Sequence, residues 1–335
     1  MLSMLPSLLA AAVPAVPSLE MPIRSCFDSE CVHWNDTDGN RIEAHAAGML
    51  QSHEDNRWYW YGESKKGGNQ SIAGVNLYSA ADLAGPWTNE GQVVKQTDIV
   101  VPGATGPWIV ERPKVLYNNV TKKFVLWFHL DDVHYKFRHS GVAQADHAKG
   151  PFEWVHALQP DGIPALDMSL FRDPVDGTAY LIRSCDNQYA GFSRLSADYL
   201  NTTGLISKHD KFEGMAAFRH PNGTYYIVTS HLTGWAPNSL MLFRAAGETL
   251  DDPQWVDMGN PTGDASSFNT QPTYVVSATD AKGESYFIYL ADNWIHGGPA
   301  GLTDAAYVWL PMKFTDDAVV FPKSSAWTMD DPFAP

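Results

Sequence analysis

The hydrophobic positions of the chain fall into short runs of aromatic and β-branched residues, and strong amphipathic helix patterns are scarce. Five of these runs follow turn-like residues, and turn residues before alternating aromatic positions are typical of β-hairpins. The runs are WYWYGE from residue 58, FVLWFHL from 124, TAYLIRS from 178, TYYIVTS from 224 and ESYFIYLAD from 284. Their spacing of roughly 45 to 65 residues lies in the range of propeller blades.

A second element precedes each hairpin run, namely an apolar strand that opens with a polar or acidic residue. The five examples are IEAHAAGML, ERPKVLY, DMSLFRD, EGMAAFR and TQPTYVV. A third element, a small polar stretch followed by Pro and an aromatic residue, comes after three of the hairpins, and a divergent version of it, FSRLSADYLNTTGLI, follows TAYLIRS. Evenly spaced hairpins occur in any all-β protein, but three elements in a fixed order favour a propeller. We therefore predict an all-β fold, a five-bladed β-propeller, in a single domain over residues 33–335.

The polar residue that opens each repeat points to a site on the propeller axis. The innermost strand of each blade lines the central channel, so five side chains from distant parts of the chain would converge there. They are Glu43 or His45, Glu111, Asp167, Glu213 and Gln271. Neighbouring buried carboxyls push their pKa values apart, and one that stays protonated is the acid that glycoside hydrolysis needs. The alternative is a ring of capping carboxylates bonded to backbone and buried water, which is competitive for one residue and weaker for the set.

Composition supports this fold class and narrows the ligand. Aromatic residues make up 12% of the 335 positions and charged residues 18%, which suits an all-β protein or a sugar binder. The formal net charge of -15 is spread along the chain, so neither nucleic acid nor an anionic membrane is an expected partner. Trp235, Trp294 and Tyr135 are candidates to stack on the apolar C–H faces of a sugar. Nucleotide-binding, serine-hydrolase and zinc motifs are missing from the sequence, so we expect no cofactor and no metal.

Three features of the sequence favour export. Residues 1–20 are apolar, end in small residues and resemble a secretory signal without its basic start, and their prolines argue against a membrane span. Five glycosylation sequons occur, at Asn35, Asn69, Asn119, Asn201 and Asn222. Cys26 and Cys31 are close enough for a small disulfide loop, which leaves Cys185 unpaired. We predict a secreted, monomeric glycoprotein.

Several segments taken together resemble glycoside hydrolase family 43, and more narrowly its exo-β-1,3-galactanases. They are DTDGNRIEAHAAG, YWYGE, ERPKV, DMSLFRD with DGTAYL, the segment of Glu213, SHLTGW with PN, and NTQPTYV. The resemblance runs from about Trp34 to Phe314. It implies a five-bladed propeller and an inverting attack on the β-1,3-galactan backbone of arabinogalactan, which would be cut from its non-reducing end.

The resemblance also implies roles for individual residues. Glu213 is the expected general acid, and Asp167 is expected to tune its pKa and hold it in place. Gln271 is expected to position the attacking water, and Glu111 competes as base, because a neutral amide cannot hold a proton as a carboxylate does. The expected sugar contacts are Glu63 (for the axial O4 of galactose), His45, Tyr135, Asn187, Thr233, Trp235 and Trp294.

Two departures from the family pattern bear on substrate preference. A Gly-rich stretch of the family reads AHAAG at 44–48, and its two added methyl groups would narrow the pocket. The residues at 213–215 are EGM where relatives often have Glu-Ala-Pro, and the loss of Pro frees the backbone. Three alternatives stay open: a family member that cleaves xylosides or arabinosides, a non-catalytic sugar-binding propeller, and a structural or protein-binding propeller.

Overall fold

The computed structural model describes residues 21–27, 33–66, 68, 70–294, 299–316 and 318–334. The predicted signal segment 1–20, the sequon at Asn69 and Cys31 lie outside these ranges. The thiol of Cys185 is buried and free, as the cysteine count predicts. Cys26 is disulfide-bonded, and its expected partner, Cys31, lies outside the described residues.

Twenty strands form five antiparallel sheets of four strands each, which are the blades. A short strand β1 (Ile23–Arg24) precedes them. Blade 1 comprises β2 (His45–Gln51), β3 (Trp58–Glu63), β4 (Gly74–Ala80) and β5 (Thr88–Lys95), and blade 2 comprises β6 (Trp108–Asn118), β7 (Lys123–Asp132), β8 (His139–Ala145) and β9 (Glu153–Leu158). Blade 3 comprises β10 (Ala165–Arg172), β11 (Ala179–Cys185), β12 (Tyr189–Leu195) and β13 (Thr202–His209).

Blade 4 comprises β14 (Glu213–Arg219), β15 (Tyr225–Ser230), β16 (Leu240–Ala245) and β17 (Trp255–Asp257), and blade 5 comprises β18 (Thr270–Thr279), β19 (Ser285–Asn293), β20 (Ala306–Phe314) and β21 (Val319–Val320). A final strand β22 (Ala326–Trp327) pairs with β1. The helical elements of the described residues are short 3₁₀ turns at Gln96–Asp98, Pro160–Gly162, Ser267–Asn269 and Pro299–Asp304. The predicted all-β class is therefore confirmed.

The first strands of the blades form a closed ring. Strand β2 lies beside β6, and the series continues through β10, β14 and β18, which in turn lies beside β2. Each sheet runs outward from its first strand in simple chain order. This is the five-bladed propeller that the repeats predict, with the first strands around the axis.

The five hairpins predicted from the turns are confirmed. The second strands begin at residues 58, 123, 179, 225 and 285, within one residue of the expected positions. Alternation along a strand places successive side chains on opposite faces. In β3, Trp60 packs into the core between blades 5 and 1, whereas Tyr59 and Tyr61 pack between blades 1 and 2. Both faces of a blade are thus covered, which explains why the aromatic runs lack a polar face.

Ring closure between the last blade and the first depends on buried polar contacts. The hydroxyl of Tyr307 in β20 donates to Ile42 O and accepts from Ala44 N, both at 2.9 Å. Ser25 Oγ donates to Trp309 O at 2.7 Å, next to the β1–β22 pair. These bonds satisfy backbone groups that would otherwise be buried without a partner. The N-terminal residues thereby fasten blade 5 to the entry of blade 1.

Candidate active site

Residues from four blades meet at one mouth of the channel because they occupy the same register. In an antiparallel hairpin the start of the first strand lies beside the end of the second. The paired residues at this position are His45 with Glu63, Glu111 with His129, Glu213 with Ser230, and Gln271 with Asp292. The loops that follow the second strands open at the same mouth, so they supply the remaining walls.

Asp167 does not share this register. Ala165 occupies the equivalent position in blade 3, where it pairs with Cys185, and Asp167 comes two residues later. The ladder skips from Ala165 to Met168, which is a β-bulge, and the bulge turns Asp167 toward the axis. The single register expected from the sequence therefore holds for four blades and not for this residue.

Every first strand has such a bulge near the mouth. In blade 2 the bulge contains Arg112, whose φ of +53° is in the left-handed region. Side chains of neighbouring strand residues ordinarily point to opposite faces. Because the bulge interrupts that alternation, Glu111 and Arg112 both face the axis.

The mouth encloses a cavity of about 250 Å³. Nine of the eleven predicted site residues line it: Glu63, Glu111, Tyr135, Asp167, Asn187, Glu213, Trp235, Gln271 and Trp294. It is also lined by Ala46 of the altered Gly-rich stretch, and by residues that the sequence analysis does not single out: Arg112, His129, Arg138, Leu166 and Gly234. The acids, the amide and the two tryptophans that were expected to converge are thus brought together.

Arg112 is the central cation of this cavity. Its Nε lies 2.6 Å from Asp167 Oδ2, its Nη2 donates to Gln271 Oε1 at 2.7 Å, and its Nη1 donates to Pro272 O at 3.0 Å. Its backbone N–H donates to Glu63 Oε2 at 2.8 Å. One buried residue therefore holds groups from blades 1, 3 and 5 in fixed positions.

Glu213 has the environment of a general acid. Burial raises the pKa of Glu213, and the charge of Asp167 raises it further, while Arg112, the Thr233 backbone N–H and Gln271 oppose the change, so that the pKa reaches about 8. Gln271 Nε2 donates to Glu213 Oε1 at 3.2 Å. The carboxyl is consequently protonated at neutral pH and available to give up its proton.

The orientation of Gln271 is determined by its neighbours. Its Oε1 accepts from Arg112 and, at 3.1 Å, from Trp294 Nε1. Its Nε2 donates to Glu213 and, at 3.3 Å, to Ser230 Oγ. All four hydrogen-bonding positions of the amide are occupied by protein groups. Gln271 must give up one of these bonds before it can hold a water molecule.

Glu111 is held by two side chains of its own blade. Its Oε2 lies 3.2 Å from His129 Nδ1, and its Oε1 accepts from the hydroxyl of Tyr135 at 2.8 Å. The other ring nitrogen of His129, Nε2, lies 3.0 Å from Asp131 Oδ2. Burial lowers the pKa of His129, but the bonds to Asp131 and Glu111 outweigh it and raise the pKa to about 9. His129 is therefore an imidazolium between two carboxylates at neutral pH.

Glu63 forms a buried ion pair beneath the two tryptophans. Lys65 Nζ lies 2.7 Å from Glu63 Oε1 and donates to Ser71 Oγ at 2.8 Å. Burial alone would raise the pKa of Glu63, but Lys65 and the Arg112 N–H lower it overall. The ammonium also lies 5.4 Å from the Trp235 ring centroid and 5.6 Å from that of Trp294. Lys65 thus connects an ionised carboxylate to the aromatic wall.

His45 and Thr233 do not line the cavity. His45 is fully buried behind Ala46, its ring stacks on Tyr307 with 5.3 Å between centroids, and its Nδ1 lies 3.5 Å from Asp292 Oδ1. Thr233 Oγ1 donates to Ala236 O at 2.7 Å, and only its backbone N–H reaches Glu213. Contact of either side chain with a sugar stays a prediction. Neither side chain presents a surface to the cavity.

The altered Gly-rich stretch affects the cavity through one methyl group. Ala46 lines the cavity with a φ of +46°, and its N–H donates to the carboxylate of Asp292. Ala47 points instead into the core between blades 5 and 1. Of the two added methyl groups expected to narrow the pocket, only that of Ala46 reaches it.

The site residues that the sequence analysis missed include Arg112, His129 and Lys65, the cations that pair with acids of the site. Arg112 follows Glu111 directly in ERPKV, and His129 and Lys65 lie at or just beyond the ends of second strands. The sequence offers a sign of each one: a basic residue that either follows a residue expected on the axis or lies near the end of the second strand of the same hairpin. The pattern used for the prediction selects only the first polar residue of each repeat.

Comparison with solved structures finds propellers of the same architecture. An exo-β-1,3-galactanase from Phanerochaete chrysosporium, solved as a Glu-to-Gln variant with β-1,3-galactotriose, is 30% identical, and the match covers 92% of this chain and 68% of that one with a TM-score of 0.80. An exo-β-1,3-galactanase from Clostridium thermocellum is 29% identical over 93% of this chain and 67% of its own, with a TM-score of 0.79.

A family 43 β-1,3-galactosidase in complex with galactodeoxynojirimycin is also 29% identical, and the match covers 91% of this chain and all of that one with a TM-score of 0.78. No family model matches the chain, and no curated protein does. The propeller and its axial cluster of carboxyls and tryptophans define a protein of the glycoside hydrolase class. The chain belongs to glycoside hydrolase family 43, and it resembles the exo-β-1,3-galactanases of that family.

None of the helices among the described residues is long and apolar enough to cross a membrane. In the same part of the chain, no group of three His, Cys, Asp or Glu residues is arranged to hold a metal ion.

Replacement of Gly214 by Ala should displace Gln271. Gly214 has a φ of +57°, and a Cβ atom built on it would lie 2.7 Å from Gln271 Cγ and 3.0 Å from Ser230 Oγ. The left-handed backbone costs alanine about 1–2 kcal/mol of unfolding free energy, and the contact adds to that loss. We expect a larger loss in urea unfolding than the backbone accounts for, together with a shift of the Gln271 side-chain amide signals in ¹H–¹⁵N NMR spectra.

Gly263→Ala is the matched control. Gly263 has a φ of +66°, and the added Cβ would meet no atom within 4 Å. It should lose only the backbone contribution and leave the Gln271 signals in place. Equal losses in the two variants, with unchanged Gln271 signals in both, would contradict the assigned packing.

Proposed function

We propose that the protein is an exo-acting β-1,3-galactanase that inverts the anomeric centre and removes galactose from the non-reducing end of a β-1,3-galactan. The observation that carries the proposal is the position of Glu213 in the axial cavity, beside Gln271 and the ion pair of Asp167 and Arg112, where burial and Asp167 raise its pKa to about 8. The structures with a β-1,3-galactotriose and with galactodeoxynojirimycin belong to relatives of about 30% identity. Their named ligands make a β-1,3-galactoside the first substrate to test.

Glu213 would act as the general acid toward the leaving group. Its proton would pass to the glycosidic oxygen as the bond from that oxygen to the anomeric carbon breaks. Asp167 would then stabilise the proton on Glu213 before each turnover, because two neighbouring carboxyls resist ionising together. Arg112 keeps Asp167 in place and Asp167 accepts from Gly214 N at 3.0 Å, which holds the acid and its modulator together.

Glu111 would act as the general base toward the attacking water, and Gln271 would help to position that water. The four bonds of Gln271 to protein leave it no free acceptor in this structure. Glu111 uses one bond on each carboxyl oxygen and keeps further lone pairs for a water molecule. We assign to Glu111 the proton that the water loses as its oxygen bonds to the anomeric carbon.

Recognition of the sugar would combine the Glu63 carboxylate with the aromatic wall. Glu63 is ionised by Lys65 and the Arg112 N–H, so it is a strong acceptor for a sugar hydroxyl. Trp235 and Trp294 meet edge to face with 5.7 Å between ring centroids, and they cover the same side of the cavity. We assign the axial O4 of galactose to Glu63 and the apolar face of the ring to the tryptophans.

We propose further that the protein is exported as a monomeric glycoprotein. The four sequon asparagines in the described residues, Asn35, Asn119, Asn201 and Asn222, are all exposed. Expression in a eukaryotic secretory host should yield protein in the medium that loses mass on enzymatic removal of N-glycans. Protein that stays inside the cells at its unmodified mass would contradict this part of the proposal.

Glu213→Gln should strongly slow the release of galactose from linear β-1,3-galactan. The loss of a general acid costs about 10²–10⁴-fold in rate. In the wild type, proton NMR should show the α-anomer of galactose first, and kcat/KM should fall above about pH 8 as Glu213 loses its proton. Glu153→Gln, which changes an exposed carboxyl on β9, is the control and should keep the wild-type rate and pH profile.

Other outcomes of this experiment would favour the alternatives. Release of xylose or arabinose from xylan or arabinan, without galactose from galactan, would assign the protein to another specificity within the family. Binding of galactan without product at any pH would indicate a sugar-binding propeller. A Glu213→Gln variant with the wild-type rate would reject Glu213 as the acid.

A further inference from the structure

We propose that His129 and Asp131 are positioning residues for Glu111, and that this buried carboxyl–imidazole–carboxyl chain prepares Glu111 to accept the proton of the attacking water. The inference rests on the proposed function, which gives Glu111 that task. Neither His129 nor Asp131 needs to touch the substrate in order to act in this way.

The carboxyl groups on either side of His129 leave its ring little rotational freedom. The ring is about 1% exposed, and each nitrogen has one carboxylate oxygen within 3.2 Å, from Glu111 at Nδ1 and from Asp131 at Nε2. Glu111 lies on β6 and His129 on β7, and the two residues are direct ladder partners. The bond between them is therefore supported by the backbone of blade 2.

Asp131 is itself held by the loop that follows β7. Its Oδ1 accepts backbone N–H groups from Asp132 at 2.9 Å, Phe137 at 2.7 Å and Arg138 at 3.0 Å. Its Oδ2 is left for His129. Four hydrogen bonds to an anionic carboxyl favour the ionised form, and the pKa of Asp131 is accordingly lowered although burial opposes this.

The groups that face the imidazole come from three elements. Glu111 of β6 and Asp131 of β7 are the charged ones, and Tyr135 of the following loop lies with its ring centroid 6.1 Å from that of His129. The Tyr135 hydroxyl donates to the second oxygen of Glu111. Glu111 is thus oriented by a hydrogen bond at each of its oxygens, one from Tyr135 and one from His129.

The hydrogen-bonded series of Glu111, His129 and Asp131 fits the two proton transfers of the proposed reaction. Water loses a proton to Glu111 as its oxygen bonds to the anomeric carbon, and the departing oxygen takes the proton of Glu213. The bond from His129 orients one carboxyl oxygen of Glu111 before this step, and Asp131 keeps the imidazole charged and in place. Loss of His129 removes the hydrogen bond that orients Glu111, and loss of Asp131 frees the ring that donates it.

His129→Gln and Asp131→Asn should both slow the hydrolysis of β-1,3-galactan without weakening its binding. We expect kcat to fall about 10-fold to 100-fold with little change in KM, because Glu111 is less well oriented while the sugar contacts persist. The alkaline limb of the kcat/KM profile, which belongs to Glu213, should stay near pH 8. Asp131→Asn keeps the size of the side chain and serves where His129→Gln does not fold.

His156→Gln is the matched control, since His156 lies on β9 of the same blade and its ring bonds only to Leu200 O at 2.8 Å. It should retain the wild-type kcat and KM. A wild type without activity would overturn the proposed function, and with it the role given to His129. An active wild type whose His129→Gln and Asp131→Asn variants keep the wild-type kcat would overturn this inference alone.

Discussion

The candidate active site depends on one buried cation, Arg112, which lies at the β-bulge of strand β6. The bulge in β6 and the left-handed backbone of Arg112 bring a guanidinium to the axis beside Glu111. A buried charge is tolerated only when it is paired and its remaining donors are satisfied. Arg112 meets that condition through Asp167, Gln271 and Pro272, and this requirement fixes the relative positions of three blades at the mouth of the channel.

The distribution of cations then decides which carboxyl is protonated. Asp167 is paired with Arg112, Glu63 with Lys65, and Glu111 with His129. Glu213 has no cation of its own and receives its closest side-chain bond from the neutral amide of Gln271. Four acids in one cavity therefore divide into three paired carboxyls and one acid with a raised pKa, which is the separation of roles that acid–base catalysis requires.

The fold and most of the cavity could be predicted from the sequence because a propeller repeats its hairpins in chain order. The turns located the second strands to within one residue, and the first polar residue of each repeat located Glu111, Glu213 and Gln271. The bulges produce two features that the repeat pattern could not show. They shift Asp167 by two positions and turn Arg112 inward, and a pattern with period two cannot show this.

His45 illustrates a second limit of sequence reasoning. It shares the register of Glu111 and Glu213, yet it is buried behind Ala46 because the entry to blade 1 packs tightly against Tyr307 and Asp292 of blade 5. A shared register places a residue at the mouth of the channel, but packing between blades decides whether its side chain reaches the cavity. Lys65 and His129 are the converse case. They lie outside the repeat pattern, yet they supply the positive charges that pair with Glu63 and Glu111.

The central claim is that Asp167 and burial keep Glu213 protonated at neutral pH while the other acids have their own cations. The most direct measurement is an NMR titration of ¹³C-labelled glutamate side chains in the wild type and in Asp167→Asn, with Glu213 assigned by its Gln variant. The account predicts that Glu213 titrates near pH 8 in the wild type and at a distinctly lower pH once the charge of Asp167 is removed. Titration of Glu213 at the ordinary pH of an exposed glutamate in both proteins would contradict it.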